Sequence, residues 1–288
     1  MNVANPLSVL VLGLAILMTG LLSLALAPRG GRFRALPGWS GFWTFFGVVL
    51  VLLSRTPWWV SFPLLGLIVL ASLREYFYLA PVRPQDRWAI LIVYLSVPVT
   101  LYPVVIDELG AFMTAILIFL FLILPTGLSL GTRHDGLLDS MGRVLLAVLV
   151  FVLCGGHLAW MTHESVGHLE LFGTLVIVSE FPQRVAGRLR MHNGVLRSIV
   201  GVVVSFVVAA AAGTWLAPVI GVTPRMGLCA GILVWIGVTA AGIVTSAVAH
   251  DLSLTPQNAR FGRAALLDRI APAFYAAPLY YHFLDYFA

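Results

Sequence analysis

Apolar residues fill this chain in long blocks, each closed by a short polar segment in which arginine recurs. The blocks begin near Pro6, Gly38, Trp58, Trp88, Leu109, Val144, Leu169, Ser198, Met226 and Ile270. A helix of roughly 20 apolar residues crosses a hydrocarbon layer, so the pattern predicts about ten spans. The blocks near Gly38/Trp58 and Leu169/Ser198 are short enough to tilt or re-enter. No polar insert is large enough to fold alone, which predicts a single membrane domain, 1–288, built as an all-α polytopic helical bundle. Within it, 1–72 form N-terminal helices, 88–162 a middle group and 169–288 a C-terminal core. The first block closes on Ala25-Leu26-Ala27, a signal-cleavage-like triplet. It has no basic residue ahead of it and is followed by Pro28, so it reads as a retained helix.

Composition agrees. The 288 residues are 60% hydrophobic and only 10% charged, with mean hydropathy +0.99; a soluble domain carries roughly 25% charged residues. So little charge cannot cover a surface facing water, and lipid must take its place. A formal charge of +5 does not point to nucleic acid, because the cations are scattered between apolar blocks with no basic helix or aromatic platform. All 17 basic residues are Arg. Of these, 15 of the 17 fall in the odd-numbered loops, which places those loops in the cytoplasm and both termini outside. Two of those loops, 180–197 and 249–269, hold most of the polar chemistry. Cys154 and Cys229 stand far apart inside apolar blocks and read as small buried hydrophobes, not metal ligands.

Several motifs are excluded by spacing. "HESVGH" (163–168) carries one residue too many for a helical H-E-x-x-H zinc site and falls in a short outer turn. No G-x-S-x-G elbow exists for serine catalysis. "VTAAGIVTSAVAH" (238–250) is rich in small residues that let helix backbones approach closely, and packing is its first reading. On the cytoplasmic side stand Glu75, Asp86, Asp135, Asp139, Glu180, Asp251 and Asp268. Asp135 and Asp139 read as solvated loop residues. Glu180, Asp251 and Asp268 lie where membrane meets loop, where a charge needs a partner or an ion. The Asp268-Arg269 pair opens the last block and reads equally as a structural clamp or as site chemistry.

At these loops the chain resembles a known family. "ALLDRIAPAFYAAPLYYHFL" (265–284) is similar to the C-terminal signature of the CDP-diacylglycerol synthase (phosphatidate cytidylyltransferase) family, approximately G-H-G-G-x-L-D-R-x-D. "LREYFYLAPVRPQDR" (73–87), "FLFLILPTGL" (119–128) and "GHLAWM" (156–161) resemble a bacterial branch in matching order. "SEFPQRVAGRLRMHNGVLRSIVG" (179–201) stands where that branch carries approximately N-D-V-A-Q-Y-V-W-G-K and then S-P-N-K-T-W-E-G. The resemblance implies a cytidylyltransferase-type bundle in the bacterial inner membrane. It implies attack of a phosphatidate phosphate on the α-phosphorus of CTP, giving CDP-diacylglycerol and pyrophosphate. Carboxylates would hold Mg²⁺ or Mn²⁺ and basic residues the phosphates.

The motifs are carried over only in part. Glu180 stands for the metal-binding Asp of the first motif, with Gln183 and Gly187 retained and Arg188 for Lys. Arg197 and Ser198 replace Lys and Thr, Gly201 is kept, and Val200 replaces an acid. Gly242 and Thr245 stand where the family has carboxylates; Asp251 persists behind Ala249-His250. Arg263-Ala264-Ala265 replaces His-Gly-Gly, Asp268 and Arg269 survive, and Ala271 replaces the second Asp. The resemblance thus implies catalytic roles for Glu180, Asp268 and Arg269, with Glu180 and Asp268 as metal ligands. It gives Gln183, Arg188, Arg197, Ser198 and Asp251 to substrate phosphates. Two readings stand open: a divergent enzyme acting on phosphatidate and CTP, or an inactive homologue that binds lipid, a second copy of itself, or another lipid enzyme. A transporter is disfavoured, since no repeat of broken helices recurs in two halves.

Overall fold

The computed structural model describes residues 6–27, 36–130, 135–164, 166–189, 194–252 and 265–287. Among them the regular structure is entirely helical. The helices are α1 (Pro6–Leu26), α2 (Leu36–Arg55), α3 (Trp58–Leu79), α4 (Arg87–Val105, led by a 3₁₀ turn at Pro84–Asp86) and α5. Helix α5 runs as Leu109–Leu117 and Leu124–Ser129 around a π-helical turn, Ile118–Ile123. Helix α6 runs as Leu137–Ala147 and Cys154–Glu164 around a second π turn, Val148–Leu153. Then follow α7 (Val166–Ala186), α8 (Gly194–Leu216), α9 (Pro224–Asp251) and α10 (Ala265–Phe287).

Each predicted apolar block is therefore a helix, but the helices are not alike. Eight are long and apolar enough to cross a membrane: α1 to α6, α8 and α9. This is a multi-pass membrane protein. The other two, α7 and α10, are long enough but carry charges within them: Glu170, Glu180 and Arg184 on α7, Asp268, Arg269 and Asp285 on α10. The fold buries both of them, together with much of α6. Helix α7 is wrapped by α1, α2, α8, α9 and α10, and Leu169, Phe172, Leu175, Val176 and Ile177 along it have no exposed surface. On α10, Ile270, Phe274, Ala277 and Tyr280 are equally enclosed. A helix screened from lipid by its neighbours tolerates charge, provided partners are at hand. The lipid-facing helices show the opposite pattern, with Leu10, Leu14, Leu17 and Leu21 of α1 and Ile199, Val203 and Val207 of α8 exposed.

Helices α8, α9 and α10 approach closely through glycine. A methyl group added at Gly231 of α9 would strike the Ala209 carbonyl of α8, and one at Gly237 would strike the Ala276 backbone of α10. With no hydrophobic effect between helices in lipid, such van der Waals contact is what holds them together. Gly231→Ala is expected to cost about 2 kcal/mol by overpacking. A lower thermal midpoint of the detergent-solubilised protein would register it; an unchanged midpoint would mean that the crossing relaxes freely.

The two ends of the bundle are stitched differently. At one end the arginine-bearing loops meet: Arg83 donates to the Asp135 carbonyl at 2.7 Å, Arg143 to the Pro81 carbonyl at 2.5 Å, and the Tyr76 hydroxyl to the Arg143 carbonyl at 3.0 Å. Asp86 is buried and bound by Arg83 at 2.6 and 3.1 Å. Asp139, expected to be solvated, is well exposed and also pairs with Arg143 one turn on at 2.8 Å. At the other end, buried Glu170 accepts from Ser54 at 2.8 Å and faces Arg55 at 3.4 Å. There five residues of "HESVGH" are helical where a loop was expected: α6 runs to Glu164 and α7 begins at Val166. Tyr280 of α10 donates to the His168 carbonyl at 3.2 Å.

Candidate functional site

Glu180, Gln183 and Arg184 occupy positions i, i+3 and i+4 near the C-terminal end of α7, so all three share one helix face. That face turns towards the first turn of α10, which carries Asp268; a carboxylate at a helix N-terminus is favoured by the peptide dipoles. Arg184 bridges the two acids. Its Nε donates to Glu180 Oε1, its Nη1 to Asp268 Oδ2 at 3.0 Å, and its Nη2 to the Asp268 main-chain carbonyl at 2.8 Å. Glu180 Oε2 accepts from Trp43 Nε1 of α2 at 2.9 Å. Trp43 is fully buried in an aromatic group with Trp39, Phe42 and Phe46, which fixes its indole N–H. Both oxygens of Glu180 thus face nitrogen donors.

The polar network extends on both sides. The Gln183 side-chain amide donates to Ser205 of α8 at 2.9 Å and Thr239 of α9 at 3.1 Å. Gly201 permits this, since a side chain there would meet Ala186 and the Gln183 backbone. Arg188 donates to the Arg184 carbonyl at 2.6 Å and lies within electrostatic reach of Arg184 and Asp268. The Arg269 guanidinium sits 5.6 Å from the centre of the Phe42 ring, a cation–π contact.

Beside this network lies a cavity of about 590 Å³. Glu180, Gln183, Arg184 and Asp268 form its polar corner. The remaining wall is mainly apolar: Leu79 of α3, Leu146, Val150 and Phe151 of α6, Val238 and Val248 of α9, and Pro272 of α10, with Tyr76 and Tyr275 among them. Val150 and Phe151 belong to the second π turn, whose wider coil shifts side chains relative to a regular helix.

The structure gathers some predicted residues and separates others. Glu180, Gln183 and Asp268 line the cavity; Arg188 and Arg269 flank it. Asp251 and Ser198 are exposed and do not line it, and the Arg197 side chain lies outside the described residues. Gly242, Thr245 and Ala271, the positions without the carboxylates that the resemblance implies, also line the cavity. Packing accounts for only part of the small-residue segment of α9. Val238 and Ala241 are buried, but nothing lies within 4 Å of a side chain added at Gly242. Arg184 and Trp43 were not anticipated as site residues. Arg184 was readable from its i+4 spacing to Glu180; Trp43, 137 residues away in sequence, gave no signal.

The donor set can be tested against the divalent cation that the resemblance implies. Among the described residues, no three His, Cys, Asp or Glu side chains come together as a metal-binding group. The two acids that face each other are already joined by a guanidinium. In this arrangement they do not fit a divalent cation, which binds several oxygens and would be repelled by Arg184.

No family model matches this chain, and no solved structure matches it. The uncharacterised protein YnbB of Escherichia coli (strain K12) is similar, 25% identical over 263 residues covering 84% of this chain and 86% of that one.

Proposed function

We propose that this is a phosphatidate cytidylyltransferase-like protein of phospholipid biosynthesis, whose cavity takes the phosphate head and upper acyl chains of phosphatidate. The observation that carries this reading is the cavity itself: an apolar chamber between membrane helices with a charged corner at one end. That shape suits an amphiphile, apolar over most of its length and anionic at its head. Six of the positions named by the family resemblance, Glu180, Gln183, Gly242, Thr245, Asp268 and Ala271, line this one chamber, which supports the same reading.

In this reading all ten helices cross the bacterial inner membrane, α7 and α10 screened from lipid, and the arginine-bearing end faces the cytoplasm. CTP approaches from that end. A phosphate oxygen of the lipid forms a bond to the α-phosphorus as the bond to the departing pyrophosphate breaks. Arg184, Arg188 and Arg269 lower the charge cost of bringing the two anions together, and Gln183, held by Ser205 and Thr239, fixes the α7 face that orients them.

The test is CTP-dependent formation of radiolabelled CDP-lipid from phosphatidate by the purified protein. Product is expected, with the rate lowered at least tenfold in Arg184→Gln, which removes the positive charge at the polar corner of the cavity. Saturable phosphatidate binding without any CDP-lipid would favour a second reading, a lipid-binding membrane subunit without catalysis. One observation favours that alternative: Arg184 already engages both acids that line the cavity.

A further inference from the structure

We infer that Arg184 is the resident cation of this site, holding the phosphate of an anionic lipid head where a divalent cation would otherwise stand. This inference rests on the lipid reading above and assigns it a binding group.

Geometry leads to it. Arg184 lies between the two acids and lines the cavity. A guanidinium has five N–H donors in a planar fork. Among the described residues, three of these five have partners: Nε on Glu180, and one N–H each of Nη1 and Nη2 on Asp268. The two N–H groups turned to Asp268, one on each terminal nitrogen, form the parallel pair through which arginine can grip a phosphate by two oxygens.

The two acids hold Arg184 unequally. Glu180 is buried, one turn back on the same helix, and fixed by Trp43. Asp268, by contrast, is 59% exposed. An entering phosphate competes with Asp268, not with Glu180, so the guanidinium stays in place while its outer partner changes. Local charge agrees. Arg184, Arg188 and Arg269 stand against Glu180 and Asp268, so the corner carries one excess positive charge and attracts an anion. Adding a divalent cation would make that excess three, with a guanidinium in its coordination space.

The experiment has two arms on the full-length protein in detergent. In the first, Mn²⁺ binding is followed by electron paramagnetic resonance. The wild type is expected to hold no Mn²⁺ that depends on Asp268. Arg184→Gln, which leaves both acids without their cation, is expected to gain a bound Mn²⁺ that Asp268→Asn then removes. In the second arm, binding of dioctanoyl phosphatidate is titrated in EDTA and in Mg²⁺. Equal affinity within twofold is expected, with at least tenfold weakening in Arg184→Gln.

Wild-type Mn²⁺ binding abolished by Asp268→Asn would overturn the inference and leave the lipid reading standing. So would phosphatidate binding that EDTA abolishes. A protein that binds the lipid in neither buffer overturns the lipid reading and with it the phosphate half of this inference. Both wild-type measurements decide the matter even if Arg184→Gln does not fold.

Discussion

Glu180→Ala is expected to destabilise the protein by about 4 kcal/mol, the range found when one partner of a buried ion pair is removed. Glu180 is 4% exposed and serves two donors from two other places in the fold: Arg184 one turn along α7, and the Trp43 indole of α2. Alanine leaves a guanidinium and a buried N–H facing a methyl group. The guanidinium dominates, because its charge keeps only exposed Asp268 as a partner. Trp43→Phe should cost only about 1 kcal/mol, one neutral donor to a charged acceptor with the ring packing kept. The double variant Glu180→Ala/Arg184→Ala should cost less than the sum of its parts, since each single change strands the other group. Thermal unfolding in detergent reads all three, with the midpoint of Glu180→Ala expected about 10 °C below wild type. A midpoint unchanged in Glu180→Ala would mean that water already reaches the pair and that the corner is an open surface.

The same residues show what a sequence can reveal of such a protein. The apolar blocks announce the helices well, but block and helix do not always begin together. The block near Val144 belongs to a helix that starts at Leu137, and the block near Ile270 to one that starts at Ala265. In both, charges stand within the first two turns, Asp139 and Arg143 in one and Asp268 and Arg269 in the other. Apolarity marks where lipid or core begins, whereas the helix extends past it to bring charges to the rim. Hydropathy likewise shows that α7 and α10 are less apolar than the rest, but not that they form the centre. That follows from how five other helices enclose α7.

For the site, local spacing was informative and distant contact was not. Glu180 and Arg184 are one turn apart, and a helix face follows from that alone. The pairing with Asp268 spans 84 residues and that with Trp43 spans 137. Small residues carry the deepest ambiguity. Gly231 and Gly242 lie on the same helix in equally small-residue surroundings. One is pressed against the Ala209 carbonyl; the other faces open space in the cavity wall. Only the packing decides between them: α8 closes on α9 at Gly231, whereas at Gly242 the cavity stands between α9 and the walls from α3 and α6.

That difference makes Gly242→Leu the most telling substitution for function. A leucine there meets no atom within 4 Å of its Cβ, so the helix need not move to accept it. Replacing glycine inside a helix also gains roughly 0.5–1 kcal/mol of propensity, so the thermal midpoint should hold or rise. Gly242 lines the chamber, so a leucine side chain there is expected to take up part of its volume. A lipid whose acyl chains fill that space would then have to compress or withdraw, drawing its phosphate away from Arg184. Displacing a reacting group by about 1 Å already costs roughly 100-fold in rate, and a blocked chamber costs at least that. We therefore expect CDP-lipid formation to fall at least a hundredfold in Gly242→Leu, with phosphatidate binding lost in parallel and stability retained. Gly231→Ala, on the same helix but outside the cavity, should do the reverse: lower the midpoint and keep the lipid affinity of whatever fraction remains folded. Binding and turnover undiminished in a stable Gly242→Leu protein would place the lipid elsewhere and remove the chamber from the mechanism.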